Sequence, residues 1–216
     1  MVIEFYRWLR IWINYQRLYR YCVRKHGNSS LLAKSLAVHG LMTTEEVRLL
    51  HELAGDIQRG CIVEIGSYHG KSTAALAQGA INGGKAQVYA IDPYKTFTGP
   101  LGGKFGPHDR ARLLENLLLA GVAEHVALIH LTSEQASKGW QDPISLLWID
   151  GDHSYHGVKT DFESWDPFVI KSGLVAFHDS LDPLLGPNQL IGEILETGFY
   201  EQTRVVDKIT VLQKRT

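Results

Sequence analysis

Apolar positions along the chain fall in short blocks separated by glycine, proline and polar clusters, and the spacing within each block predicts an element. From Val2 to about Lys25, arginines and Asn14 recur every three or four residues, while Phe5, Trp8, Leu9, Trp12, Ile13, Tyr15, Leu18, Tyr19 and Cys22 fill much of the remainder. That is the pattern of an amphipathic helix with a wide aromatic side. Gly27-Asn28-Ser29-Ser30 ends it, and a short second helix runs towards Gly40. Thr43-Thr44-Glu45-Glu46 opens a third helix with a capping signal; Val47, Leu49, Leu50 and Leu53 are its buried stripe, and Gly55 or Gly60 stops it. Ile62, Val63 and Ile65 then fit a buried strand, Gly66 and Gly70 break it, and Ser72 to Ala77 reads as helix. Further strands are expected at Gln87 to Ile91, Ala127 to Leu131, Ile144 to Ile149 and Gly173 to Phe177. Helices are expected from His108 to Ala120, from about Gly157 to Phe168, and from Ile191 to Thr197. Arg204-Val205-Val206 and Ile209 to Leu212, joined by Asp207-Lys208, read as a terminal hairpin. Strands alternating with helices predict an α/β domain on a parallel sheet. No internal repeat interrupts it, and a soft boundary near Thr43 separates a helical extension, 1–42, from the core, 43–216.

Composition changes this picture little. The 216 residues are 44% apolar and 21% charged, enough for one well-buried domain. The formal net charge of -1 provides no bulk field for nucleic acid, so no nucleic-acid partner is expected. The balance is uneven, however: the first 26 residues hold Arg7, Arg10, Arg17, Arg20, Arg24 and Lys25 against a single acid, Glu4. The N-terminal helix is therefore expected to pack as a lid or against a second subunit in a homodimer. Its arginine and aromatic content also allows peripheral contact with an anionic membrane. Cys22 and Cys61 make neither a disulfide framework nor a zinc set, which fits a reducing cytoplasm. Arginines interrupt the N-terminus too often for a secretory signal, and no apolar run is long enough to cross a bilayer.

The candidate chemistry centres on Cys61 to Lys71. A strand, a glycine turn and a helix start bring backbone N–H groups close to a ligand. A dinucleotide fingerprint would read G-x-G-x-x-G. This chain instead has Glu64-x-Gly66-x-x-x-Gly70. A carboxylate before the turn repels a pyrophosphate and can accept from an ammonium group, which favours a ligand with a cationic amino-acid end. Asp92, at the tip of the next strand, is placed to bind ribose hydroxyls. The loop from Pro93 to Pro107, rich in glycine and proline, either folds over cofactor and acceptor or is a surface insert. Ser133-Glu134 sits at another strand tip, where an adenine-side contact would fall. Asp150-Gly151-Asp152-His153-Ser154-Tyr155 and His178-Asp179-Ser180 bring acids and histidines to the same rim.

The two motifs at Glu64 to Gly70 and at Asp92 resemble those of the class I S-adenosylmethionine-dependent methyltransferases. Asp150 to Tyr155, followed by a helix and by Gly173 to Asp179, looks like the small-molecule O-methyltransferases of the macrocin and cephalosporin-pathway group. The match runs from about Thr43 to the C-terminus; catechol-type enzymes are similar more loosely. The resemblance implies a Rossmann-like, seven-stranded, mostly parallel sheet closed by an antiparallel C-terminal hairpin in a three-layer α/β/α domain. It implies S-adenosylmethionine as cofactor, bound by Glu64, Gly66, Ser67, Tyr68, Gly70, Lys71, Ser72, Asp92, Pro93, Ser133, Asp150 and His153.

In that group, acids matching Asp150 and Asp179 hold a divalent metal such as Mg2+, and His178 joins them as a metal candidate here. His178 stands where the macrocin type often has another acid, and Ser180 where the catechol type has asparagine. A histidine tilts the site towards a softer ion. The implied reaction is O-methylation of a small-molecule or sugar hydroxyl, an in-line displacement that needs alignment and removal of the hydroxyl proton. Asp150 with a metal, or His153 or His178 as base, would serve, and a positioned base contributes about 10²–10⁴-fold. Two rivals are an NAD-dependent sugar or alcohol oxidoreductase and a membrane-surface or scaffold protein with a vestigial site. The missing third glycine argues against the first and the dense acids against the second. Glu64, Asp92, Asp150 and Asp179 are expected to meet around one hollow.

Overall fold

Residues 2–26, 30–100 and 102–215 are described by a computed structural model. Helices α1 (Val2–His26), α2 (Ser30–Ala37) and α3 (Thr44–Gly55) precede the first strand, β1 (Cys61–Ile65). The stop expected at Gly27-Asn28-Ser29 lies outside the described residues. The cap of α3 is the one its sequence announces: Thr43 accepts from the Glu46 N–H, and the Glu46 carboxylate accepts from the Thr43 N–H. After β1 come α4 (Lys71–Asn82), β2 (Val88–Ile91), a small hairpin of β3 (Phe97–Thr98) and β4 (Lys104–Phe105), and α5 (Pro107–Ala120). Then follow β5 (Val126–Ile129), α6 (Ser133–Ser137), β6 (Ile144–Ile149), α7 (Tyr155–Trp165), β7 (Val169–Phe177), α8 (Gly186–Glu196) and the terminal pair β8 (Tyr200–Val206) and β9 (Ile209–Lys214).

Seven strands form one sheet in the order β5-β2-β1-β6-β7-β9-β8. β9 runs antiparallel to both β7 and β8, whereas the pairings among β5, β2, β1, β6 and β7 are parallel. A sheet covered on both faces needs strands apolar throughout, and β1 and β6 are buried at every position. Alternate side chains of β6 serve different layers. Leu146 and Trp148 join the core under α1 to α5, while Ile144, Leu147 and Ile149 join the core under α7 and α8. On the first face α3 and α4 meet closely because Gly79 has no side chain; a Cβ there would lie 2.2 Å from the His51 carbonyl oxygen. Val206 and Ile209 close the β8–β9 hairpin around Asp207-Lys208, as the sequence expects.

Several boundaries shift. α8 starts five residues before Ile191, with Pro187 in its first turn, where a missing N–H costs no helical bond. β7 starts at Val169 because the register slips between Ile144 and Leu146 and lets the strand pass Ser172, at φ 64°, before pairing again from Leu174. β5 ends at Ile129 rather than Leu131, and α7 ends at Trp165, its last expected turn becoming the 3-10 turn Asp166–Phe168 around Pro167.

Candidate active site

All five parallel strands point their C-terminal ends to one edge, the edge where ligands bind in open α/β sheets. Gly66 leaves β1 at φ +85°, and a Cβ there would stand 2.3 Å from the Asp150 carbonyl oxygen, so the turn lies directly against the tip of β6. Tyr68, Tyr94 and Asp179, all at this edge, have φ values of 44°, 48° and 47°. Left-handed backbone at three non-glycine residues is a local cost that neighbouring contacts must offset.

Glu64 is enclosed beneath the glycine turn. It is fully buried, and the hydroxyls of Ser72 and Thr73 donate to its two oxygens at 2.5 Å each. Burial lifts its carboxyl to about 8, against the pull of those two donors. These two bonds pin the first turn of α4 to β1.

Asp92 ends β2 and organises the turn opposite. Its Oδ2 accepts from the N–H groups of Ser67 (3.2 Å) and Tyr68 (3.1 Å), and its Oδ1 from that of Tyr94 (2.9 Å). Burial raises its pKa despite these three donors. With Gly66, Tyr68 and Pro93 it lines a cavity of about 530 Å³. Ser133 lines the same cavity, its Oγ accepting from Trp165 Nε1 at 2.9 Å. Beside it is Asp161, which burial pushes up to about 7. Sequence reasoning passed over Asp161, because one acid inside a polar stretch of helix carries no local mark.

The loop after Asp92 forms part of the cavity wall. Phe97 and Phe105 face each other across the β3–β4 hairpin, Phe105 meets Tyr68 edge-on with centroids 5.2 Å apart, and both phenylalanines line the cavity. Asp109 ties the loop down: one oxygen accepts from Gly106 N–H and the other meets His69 Nε2, both at 2.8 Å. Leu101, in this loop, is outside the described residues.

A second cavity of about 320 Å³ adjoins the first, sharing Gly66, Tyr68, Phe97, Phe105, Asp150 and Gly151. Gly70, Lys71 and Ser72 line this one, so the end of the glycine turn faces the second space. Burial lowers the Lys71 pKa.

At its base is the cluster built by the tips of β6 and β7. Asp150 Oδ1 lies 3.1 Å from His153 Nε2 and 3.1 Å from His178 Nδ1. Asp179 Oδ2 is 3.6 Å from Nδ1 of each histidine. Burial opposes a charge on His178, but Asp150, Glu46 and Asp179 outweigh it and raise the pKa to about 10. The same two histidines overcome burial at Asp150 and hold it down at about 2. Burial works against the His153 cation as well, yet Asp150 and Asp179 leave its pKa above the ordinary histidine value.

Two of the expected metal candidates, Asp150 and His178, group with His153. Among the described residues Asp150, His153 and His178 bring three ligand atoms within 4.8 Å of one another. Asp179 stands beside this group, its Oδ2 towards the two histidines and its Oδ1 paired with the Lys208 ammonium at 3.1 Å. Both buried ring nitrogens of His178 lack a hydrogen bond of good geometry. Glu46, 1% exposed, went unread because its capping role accounts for it locally. Its Oε1 also stands 3.5 Å from His178 Nε2 and accepts from Lys208 N–H at 3.3 Å. Of the four acids expected around one hollow, Asp92 and Asp150 line the first cavity, Asp150 and Asp179 the second, and Glu64 lies behind both.

Comparison with known proteins agrees with this architecture. Residues 63–180, more than half of the chain, match a family model described as a methyltransferase domain. An uncharacterised protein of Sinorhizobium fredii, y4gI, is 29% identical over 124 residues; the match spans 55% of this chain and only 13% of that protein. Among solved structures, cofactor-bound Rv0187 from MTB superposes with a TM-score of 0.68 at 19% identity, covering 89% of this chain and 93% of the other. An O-methyltransferase from Bacillus cereus in complex with SAH gives 0.64 at 18% identity, covering 90% and 96%. At these identities the structures attest the shared fold.

Proposed function

The chain belongs to the methyltransferase-domain family of class I S-adenosylmethionine-dependent enzymes, and from that premise we propose that its acceptor is a hydroxyl of a small molecule or sugar. The observation that carries this reading is the junction of two cavities at Asp150 and Gly66, with the His153 and His178 pair lining the smaller cavity and not the larger one. When bound, S-adenosylmethionine supplies an electrophilic methyl group on sulfur. The chain's own residues then have three tasks. Asp92, with the Ser67 and Tyr68 amides it orients, holds the sugar end in the larger cavity, and Ser133 and Asp161 line the base end. Phe97 and Phe105 exclude water from the junction, which strengthens every charge interaction there. His153 accepts the hydroxyl proton as the oxygen attacks the methyl carbon and the carbon–sulfur bond breaks. His178 is less suited, since a histidine held near 10 is already charged at neutral pH; it serves as the fixed counter-charge to Asp150.

A divalent cation fits the same residues in a second arrangement that excludes the first. Asp150 and neutral His153 and His178 would hold it in place of the proton acceptor and counter-charge just described, and the two His178 nitrogens without good hydrogen bonds are the observation in its favour. Such an ion would lower the hydroxyl pKa and orient its oxygen. One carboxylate with two imidazoles suits Mn2+ or Zn2+ better than Mg2+. The NAD-dependent and scaffold readings have no support from the family match.

The test is release of S-adenosylhomocysteine with a panel of catechols, glycosides and amines, before and after chelation and metal addition. Turnover on hydroxyl acceptors that falls about 10²-fold or more in His153→Gln supports the reading. Methylation of amines alone, or indifference to that substitution, overturns it.

A further inference from the structure

The outward side of α1 is a cationic strip with no neutralising acid among the described residues. Arg10, Arg17 and Arg24 recur every seven residues and so lie along one line of the helix. Tyr15 and Cys22, also seven apart, are buried on the opposite side and fix which way the helix faces. Arg20 and Lys25 flank the line, and all five basic residues are exposed. Arg7 reaches Glu115 at 3.7 Å and Lys25 lies over the Tyr21 ring at 5.8 Å, whereas Arg10, Arg17, Arg20 and Arg24 have no acidic partner among the described residues. Beside them are apolar side chains left in solvent: Ile13, Leu18 at 48% exposure and Tyr21 at 57%. This adds to the methyltransferase reading and does not depend on it.

We propose that this face of α1 docks on an anionic lipid bilayer, lying along its surface. The strip has two chemistries, and a bilayer interface answers both: phosphate and carboxylate headgroups meet the arginines, and the interfacial zone accepts Ile13, Leu18 and Tyr21. No described helix is long and apolar enough to cross a membrane, so the contact is peripheral. A second copy joined through a two-fold axis would set each arginine line against itself, and like charges repel. A nucleic-acid backbone would satisfy the arginines and leave Ile13 and Leu18 in water.

The experiment is co-flotation of the full chain with phosphatidylcholine vesicles, with and without phosphatidylserine, at low and high salt. The comparison is Arg10→Glu/Arg17→Glu/Arg24→Glu, with the milder triple Arg→Gln variant read in the same way. Thermal melting and S-adenosylhomocysteine binding, which these positions should leave unchanged, verify that each variant is folded. The expected result is flotation only with phosphatidylserine, reduced at least ~10-fold by either triple variant and weakened by salt. Three results overturn the proposal: no flotation of the folded wild type, equal flotation without phosphatidylserine, or flotation unchanged in a folded variant. Capture of the strip by duplex RNA but not by vesicles, or a salt-stable dimer abolished by the same variants, also overturns it in favour of that partner.

Discussion

His178 and Asp150 give the site a pH signature that belongs to single residues. His178 is raised to about 10 in the fold, so its stabilising effect is complete below the unfolded histidine pKa, about 6.5, and disappears as pH climbs towards 10. Asp150, held at about 2, contributes above the unfolded carboxyl value, about 3.9, and loses that contribution as pH falls towards 2. Glu64 and Asp161, raised to about 8 and 7, must be ionised against burial as pH rises, which again favours the acid side. The metal-free protein should therefore melt highest at roughly pH 4–6.5 and lose stability steadily above it. Asp150→Asn should flatten the alkaline slope, since His178 then loses its main counter-charge; melting scans across pH check this, and an unchanged slope would refute it. Glu64 gives a second residue-scale expectation. Glu64→Gln should unfold within about 1 kcal/mol of wild type in denaturant, whereas Glu64→Ala, which strands two buried hydroxyls, should cost about 2–4 kcal/mol. Residue roles were the least legible part of the sequence. Glu64 reads as a ligand group because its neighbours are unremarkable apolar residues; only the packed structure shows Ser72 and Thr73 taking both oxygens. Glu46 is hidden for the opposite reason, since its capping function explains it without any reference to His178.

Elements were read more reliably than their ends, because periodicity marks where a strand or helix exists while the boundary depends on contacts distant in sequence. The register slip before Leu174 and the early start of α8 are such cases. Glycines and prolines marked the stretch from Pro93 to Pro107 as non-helical, but they could not say where it goes. Its position over the site comes from Asp109, on α5, gripping Gly106, and from Phe105 against Tyr68. Phe97→Ala/Phe105→Ala, which removes both rings that the β3–β4 hairpin lays on the cavity, should weaken S-adenosylhomocysteine binding about tenfold and leave the melting temperature nearly unchanged. Calorimetric titration of the double variant provides the check. Wild-type affinity would mean that the hairpin is surface decoration, and a large fall in melting temperature would mean that it is core.

At the scale of the whole molecule, the alternation of apolar strands with amphipathic helices was enough to give a parallel α/β sheet, and the hairpin at the end gave its antiparallel edge. That order brings every candidate motif to one rim, because β1, β2, β5, β6 and β7 all point the same way. The sequence could not show that the rim divides into two cavities, since the division is made by Gly66 meeting Asp150 and by a loop whose docking residues are far apart in the chain. The central claim is that the larger cavity receives the sulfonium nucleoside and that Asp92 organises it. Calorimetric titration with S-adenosylhomocysteine tests this most directly. Saturable one-to-one binding, weakened about 10- to 100-fold in a folded Asp92→Ala variant, is the result predicted. Absence of binding to the wild type, or equal affinity in that variant, would contradict the account.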